Sequence, residues 1–299
     1  MKPKNTILRW MHVCGAILTL LFSLAAQSKA QSNFVSFDYP GATHTDATGV
    51  NPSGTIVGRY LNADGSQHGF LLADGKFSPI DYPAAIFTDV TAINPRGEIV
   101  GSFVDAAQHG HGFVLSGGNF TAFDFPNSTF TDGFGIGVNG DIIGIYGDSS
   151  GTVHGFLLRK GTFTAIDVPG ASGSLPAMIA AGRIIGGYFL NNHTHGFQLY
   201  KGQFTTVDCA GSTGSPGFQF LSGLDPIGRI VGGYGTPDGL THGSLIINGN
   251  CITIDIPPGT NTYANAIDAE GDIVGRYTGS DGVIHGFLLR KFVRGTTTP

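Results

Sequence analysis

Ile93-Asn94-Pro95-Arg96-Gly97-Glu98-Ile99-Val100-Gly101, then His111-Gly112-Phe113, then Phe120 to Asp124, is the stretch that decides the fold. Asn-Pro-x-Gly is turn chemistry, and the apolar runs beside it are too short for helices. The stretch is one copy of a repeat. His-Gly recurs at His68, His111, His154, His195, His242 and His285, in steps of 43, 43, 41, 47 and 43 residues. An Asp trails each of the first five His by 13 residues: Asp81, Asp124, Asp167, Asp208 and Asp255. Asp38 stands before the first His and belongs to no earlier one. An apolar pair followed by Gly recurs at Gly58, Gly101, Gly144, Gly186, Gly232 and Gly275, each four residues after a turn glycine.

Each unit reads as four short strands. In the first they are a stretch ending near Asn51, then Ile56 to Tyr60, His68 to Leu72 and Phe77 to Tyr82. Four strands in about 43 residues is the period of a propeller blade. The spacing predicts an all-β, six-bladed β-propeller of four antiparallel strands per blade. The chain begins on a fourth strand, Phe34 to Tyr39, and ends on strands one to three, Thr262 to Arg290. The N-terminal strand is therefore expected to complete the last blade, which removes free edges. An open solenoid is the alternative, and it would need polar end caps that the sequence does not show.

The run Ile93 to Gly101 with His111-Gly112-Phe113 and Phe120 to Asp124 resembles the bacterial extracellular HAF repeat. That repeat is named for His-Ala-Phe after Ile-Asn-x-x-Gly-x-x-Val-Gly. Here the middle residue is Gly in all six copies. The resemblance covers residues 34–290. It implies an exported bacterial protein and brings no catalytic residues or substrate.

Residues 1–30 read separately from the fold. Lys2, Lys4 and Arg9 precede an apolar run from Trp10 to Ala26, and Ser28-Lys29-Ala30 closes the segment. That order is a secretory signal peptide, and a membrane anchor is the alternative. The expected organisation is signal 1–30, one propeller domain 31–294 and a disordered tail 295–299, giving a secreted or periplasmic protein. Cleavage after Ala30 would remove four of the 16 basic residues and leave 12 against 21 acidic ones, a charge of -9. That argues against nucleic-acid binding. Export also permits a disulfide between Cys209 and Cys251, and spacing alone does not settle it.

The repeated His and Asp read as structural pairs, His68–Asp81, His111–Asp124, His154–Asp167, His195–Asp208, His242–Asp255 and His285–Asp38. Buried carboxylates accepting from imidazole would pin each last hairpin. Aromatics at the end of the second strand, Tyr60, Phe103, Tyr146, Tyr188, Tyr234 and Tyr277, fit blade packing or stacking platforms for sugars. Loop length varies at one end of the blades only, most in residues 208–220. Binding residues concentrate in such loops. The candidate ligand contacts there are Asp46, Asp89, Asp132, Tyr188, Tyr234, Ser212 and Phe218. Asp46, Asp89 and Asp132 begin the first strand in three consecutive units, a half ring of oxygen ligands for a cation such as Ca²⁺.

No catalytic motif is present, and neither the His nor the Asp has a recognised metal spacing. The expectation is a binding or interaction module for a glycan or cell-surface protein, without catalysis or cofactor. The alternatives are a propeller hydrolase or lyase with Asp and His on the variable face, and a structural cell-envelope protein.

Overall fold

The computed structural model describes residues 34–210, 212, 218–256 and 261–291. The expected signal segment and tail lie outside the described residues, as does most of the 211–217 insertion. Among the described residues there are strands and turns and no helix long and apolar enough to cross a membrane.

Strand β1 (Phe34–Phe37) is followed by sets of four antiparallel strands. The first set is β2 (His44–Val50), β3 (Ile56–Leu61), β4 (Gln67–Ala73) and β5 (Lys76–Ile80). The second is β6 (Phe87–Ile93), β7 (Ile99–Val104), β8 (Gly110–Ser116) and β9 (Asn119–Phe123). The third is β10 (Phe130–Ile136), β11 (Ile142–Gly147), β12 (Val153–Arg159) and β13 (Thr162–Ile166). The fourth is β14 (Gly173–Ala180), β15 (Arg183–Leu190), β16 (His193–Tyr200) and β17 (Gln203–Thr206). The fifth is β18 (Phe218–Leu224), β19 (Ile230–Gly235), β20 (Thr241–Ile247) and β21 (Asn250–Ile254). The last is β22 (Thr262–Ile267), β23 (Ile273–Thr278) and β24 (Ile284–Leu289), completed by β1. Single parallel contacts, Thr194 to Phe218 and His44 to Ile284, join neighbouring sets at the variable end. These sets are antiparallel four-stranded propeller blades.

Closure follows the phase of the chain. Phe34 pairs with Leu289 and Phe37 with Gly286. The Ser36 hydroxyl bonds the Tyr277 hydroxyl at 2.8 Å. The first strands of the sets touch in sequence, β2 to β6, β10, β14, β18, β22 and back to β2, so they are innermost and enclose an axis.

Local chemistry explains the turns. The last hairpins close on two residues that both take positive φ, as at Asp74-Gly75 (51° and 72°). That is a type I′ turn, whose twist matches the strands it joins. At the same end, the Asn51 side chain accepts from the amides of Ser53 and Thr55, both at 3.1 Å. The glycine in each second strand is steric. A Cβ on Gly58 would stand 2.1 Å from Asp46 O, and one on Gly275 1.9 Å from Tyr263 O. A bulge in the innermost strand brings that carbonyl in, as the register shift between Ala47 and Gly49 records. The crowding comes from within the blade, whereas at Gly69 it comes from Val90 of the next one.

The core lies between blades. Val57 and Ile80 pack with Val90, Ile93 and Phe113 of the second set, and Ala47 and Phe70 with Val274 and Leu288 of the last. Each of the first three blades also has an aromatic cluster. Tyr39 stacks on Tyr60, Tyr82 on Phe103 and Phe125 on Tyr146, each at 3.6 Å, with a third ring edge-on. The fifth blade replaces it. Cys209 stands where Tyr82 would, Ser244 where Phe113 would and Cys251 where Phe120 would. Cys209 and Cys251 form a disulfide with Cα atoms 5.7 Å apart. It ties the connection entering this blade to the blade's outermost strand.

Candidate functional site

The site is built in levels along the variable end. At the rim, every His–Asp pair is formed through Nδ1. The distances are 2.8 Å for His68–Asp81, His111–Asp124 and His195–Asp208. They are 3.1 Å for His154–Asp167, 2.9 Å for His242–Asp255 and 3.0 Å for His285–Asp38. Each imidazole packs on the aromatic ending the second strand, with ring centres 5.0–5.3 Å apart. The carboxylates are not buried as the sequence reading expected. Asp81, Asp124, Asp167 and Asp38 are about half exposed, because the end of the outer strand turns to solvent.

Three of these His have a second carboxylate at Nε2, Asp105, Asp148 or Asp281. Burial opposes protonation of His111, His154 and His285, but the paired aspartates outweigh it and raise all three pKa values. A raised folded-state pKa contributes stability that is present below the unfolded value of about 6.5 and lost as pH rises through the folded one. The Tm is therefore expected to be higher at pH 6 than at pH 8, by a few degrees at most since the carboxylates are screened. Calorimetry on the Asp105→Asn, Asp148→Asn, Asp281→Asn triple variant should show that difference diminished.

Inside the rim, one layer of residues surrounds the axis. The innermost strands contribute Asp46, Asp89, Asp132, Leu175, Phe220 and Tyr263. Their register partners on the second strands are Arg59, Ser102, Ile145, Gly187, Gly233 and Arg276. Several second-strand residues also meet the innermost residue of the next blade. Arg59 donates to Asp89 at 2.7 Å, and Arg276 to Asp46 at 2.6 Å across the closure. Ser102 of the second blade holds the Asp132 pKa down somewhat against burial. Gly187 and Gly233 leave room for the rings of Phe220 and Tyr263. Half of the layer is thus charged and the other half apolar or aromatic.

Asp46 is wholly buried and accepts from Arg59 at 3.0 Å, Arg276 at 2.6 Å and Asn265 at 2.7 Å. Burial pushes its pKa up, but the two arginines outweigh that and hold it down. Burial raises Asp89 despite Arg59. Burial, then the charge of Asp89, pushes Asp132 up to about 6. Burial pushes Tyr263 up to about 12, and lowers His44 above the layer. Below the layer the axis holds a cavity of about 30 Å³, lined by Thr48, Thr91, Phe134, Met178, Ser222 and Asn265. That is room for little more than a water.

This arrangement revises the candidate residues. Asp46 offers a ligand nothing, and the arginines stand where a cation was expected. Tyr188 and Tyr234 are buried, their hydroxyls bonded to Thr206 and Thr253 at 2.8 Å, because their rings pack under the His residues. Ser212 is buried, its hydroxyl donating to Cys209 O at 2.6 Å. The Phe218 side chain lies outside the described residues. Asp89 and Asp132 do line the axis. Arg59, Arg276, Phe220, Tyr263 and Asn265 were not singled out in the sequence. Among the described residues, no group of three or more His, Cys, Asp or Glu is placed to hold a metal ion. Asp64 accepts from the Ser66 amide and hydroxyl at 2.9 and 2.7 Å, which is turn chemistry.

A second cavity, about 880 Å³, opens on the outer wall between the second and third blades. Phe123 and Leu158 line it, and Arg159 grips Asp141 there through Nε at 3.0 Å and Nη2 at 2.8 Å.

No family model and no curated protein matches this chain. Solved structures do. The Aleuria aurantia lectin, described as a six-bladed β-propeller with a fucose recognition mode, is similar at TM-score 0.50 and 13% identity over 85% of this chain and 90% of its own. A candidate TolB of Agrobacterium tumefaciens is similar at TM-score 0.55 and 14% identity, over 82% and 90%. A puromycin-hydrolysing peptidase of Mycobacterium tuberculosis is similar at TM-score 0.52 and 10% identity, over 86% and 54%. These likenesses establish the propeller fold and nothing finer.

Proposed function

We propose that the chain is an exported, six-bladed propeller that binds a glycan in its axial funnel, without chemistry of its own. The count of six rests on the strand sets and the ring of innermost strands. Export rests on the charge and apolar order of residues 1–30 and on the resemblance to the HAF repeat. The observation that carries the ligand class is the split layer. A sugar presents hydroxyls on its edges and an apolar ring face, and it needs charged hydrogen-bonding groups on one side and an aromatic surface on the other. Arg59 and Asp89 supply the first, and Phe220 and Tyr263 the second, the Tyr263 ring carrying the Arg276 guanidinium over it at 5.2 Å. The lectin likeness is consistent with this at the level of fold.

Tyr263→Ala should weaken glycan binding about fivefold or more by calorimetry, stacking on an aromatic side chain being worth about 1–3 kcal/mol. Undiminished binding in a folded Tyr263→Ala, Phe220→Ala double variant would remove the funnel from the function.

A further inference from the structure

The funnel layer is short of one positive charge, and the shortfall is local. Two arginines face three aspartates. Asp46 takes contacts from both arginines, and Asp89 takes one through Oδ2. Asp132 has Ser102 and no cation among its partners. Beside it, Asp89 Oδ1 is buried with no hydrogen-bond partner. A buried carboxylate oxygen without a donor carries its full desolvation cost, so a donor supplied by a ligand gains most there. In ring order, Tyr263 stands opposite Asp132 and Phe220 opposite Asp89. An anion short of a counter-ion thus stands across the axis from two aromatic residues.

We propose that the funnel selects a sugar carrying a free amine, its ammonium directed to Asp132 and Asp89 and its ring face to Phe220 and Tyr263. This rests on the glycan reading and adds the charge of the ligand. A neutral sugar would leave Asp132 uncompensated, and an acidic sugar would be repelled by it. An ammonium makes charge-assisted hydrogen bonds to both carboxylates.

Among the protein's own groups the pH dependence has one sign. From pH 7 to 5, Asp132 takes up a proton, and Asp89, also raised, moves the same way. His44 above the layer gains positive charge. Asp46 stays ionised, Arg59 and Arg276 stay charged and Tyr263 stays neutral in that range. On the protein side, acid therefore weakens the attraction for an ammonium, while it also protonates more of the sugar's own amines, which titrate in the same range.

Calorimetry with the full chain and two probes, the β-1,4-linked tetramers of glucosamine and of N-acetylglucosamine, tests this. At pH 7 the free-amine tetramer is expected to bind about tenfold more tightly. Asp132→Asn should bring the ratio to within about twofold of unity at pH 7. Equal affinities in the unaltered protein, a preference for the acetylated tetramer, or a ratio that survives Asp132→Asn would overturn the amine preference and leave the glycan reading standing. Binding of neither tetramer, nor of any other sugar on a glycan array, would overturn both.

Discussion

Asp46→Ala is expected to lower the stability of the folded chain by about 3–5 kcal/mol, the cost of removing one partner from a buried ion cluster. Asp46 is the only acceptor among the described residues that joins Arg59, Arg276 and Asn265. Arg276 and Asn265 belong to the last blade and Asp46 to the first, so the cluster also spans the closure. Losing the carboxylate strands one guanidinium, Arg276, across that seam, while Arg59 keeps Asp89. Urea unfolding followed by fluorescence and by far-UV circular dichroism should show the loss. Local opening at the seam should appear as faster amide exchange in β1 and β24 than elsewhere. Asp46→Asn keeps the shape and removes the charge, and should cost less than Asp46→Ala.

Cys209→Ser with Cys251→Ser is expected to cost about 4 kcal/mol on the loop-entropy estimate for a closed loop of this length. At roughly 2–4 °C per kcal/mol for a large domain, that lowers Tm by about 10 °C. The effect should be unusually local. In the first three blades an aromatic cluster fills the space between the connection and the outer strands. In the fifth, Tyr234 is the one ring of the cluster that is kept, and the disulfide stands where the connection's ring and the outer strand's ring would meet. Mild reduction should therefore loosen β21 and the 208–220 connection before the rest of the ring. Scanning calorimetry with and without reductant, and proteolysis mapped by mass spectrometry, measure both. Unchanged Tm on reduction would mean that the cross-link carries no stability.

Much of the fold was legible because its signals are periodic. The fixed interval from each His to its Asp, and the unpaired Asp38 at the start, imply both the hairpins and the closure, and His285 does meet Asp38. The burial of those carboxylates was misjudged, since a spacing says which groups meet and not how far they stand from solvent. The site was harder to read because it breaks the period. Asp46, Asp89 and Asp132 drew notice as a partial repeat of acids. Their neutralising partners, Arg59 and Arg276, follow the glycines of the second strands at Gly58 and Gly275, where other units have Ser102, Ile145, Gly187 and Gly233. That comparison holds the signal, but nothing in it tells that Arg59 and Arg276 reach the aspartates of the next blade. Tyr188 and Tyr234 misled for the opposite reason: a hydroxyl suited to a rim was satisfied internally by Thr206 and Thr253. Spacing alone does not decide the disulfide, although Cys251 occupies the slot of Phe77, Phe120 and Phe163.

A crystal structure of the chain soaked with the glucosamine tetramer measures the axial site most directly. Density for a sugar ring between Tyr263 and Asp132, its amine against the two carboxylates, is the expected result. Density confined to the outer-wall cavity at Phe123 and Arg159, with the funnel empty, would contradict it.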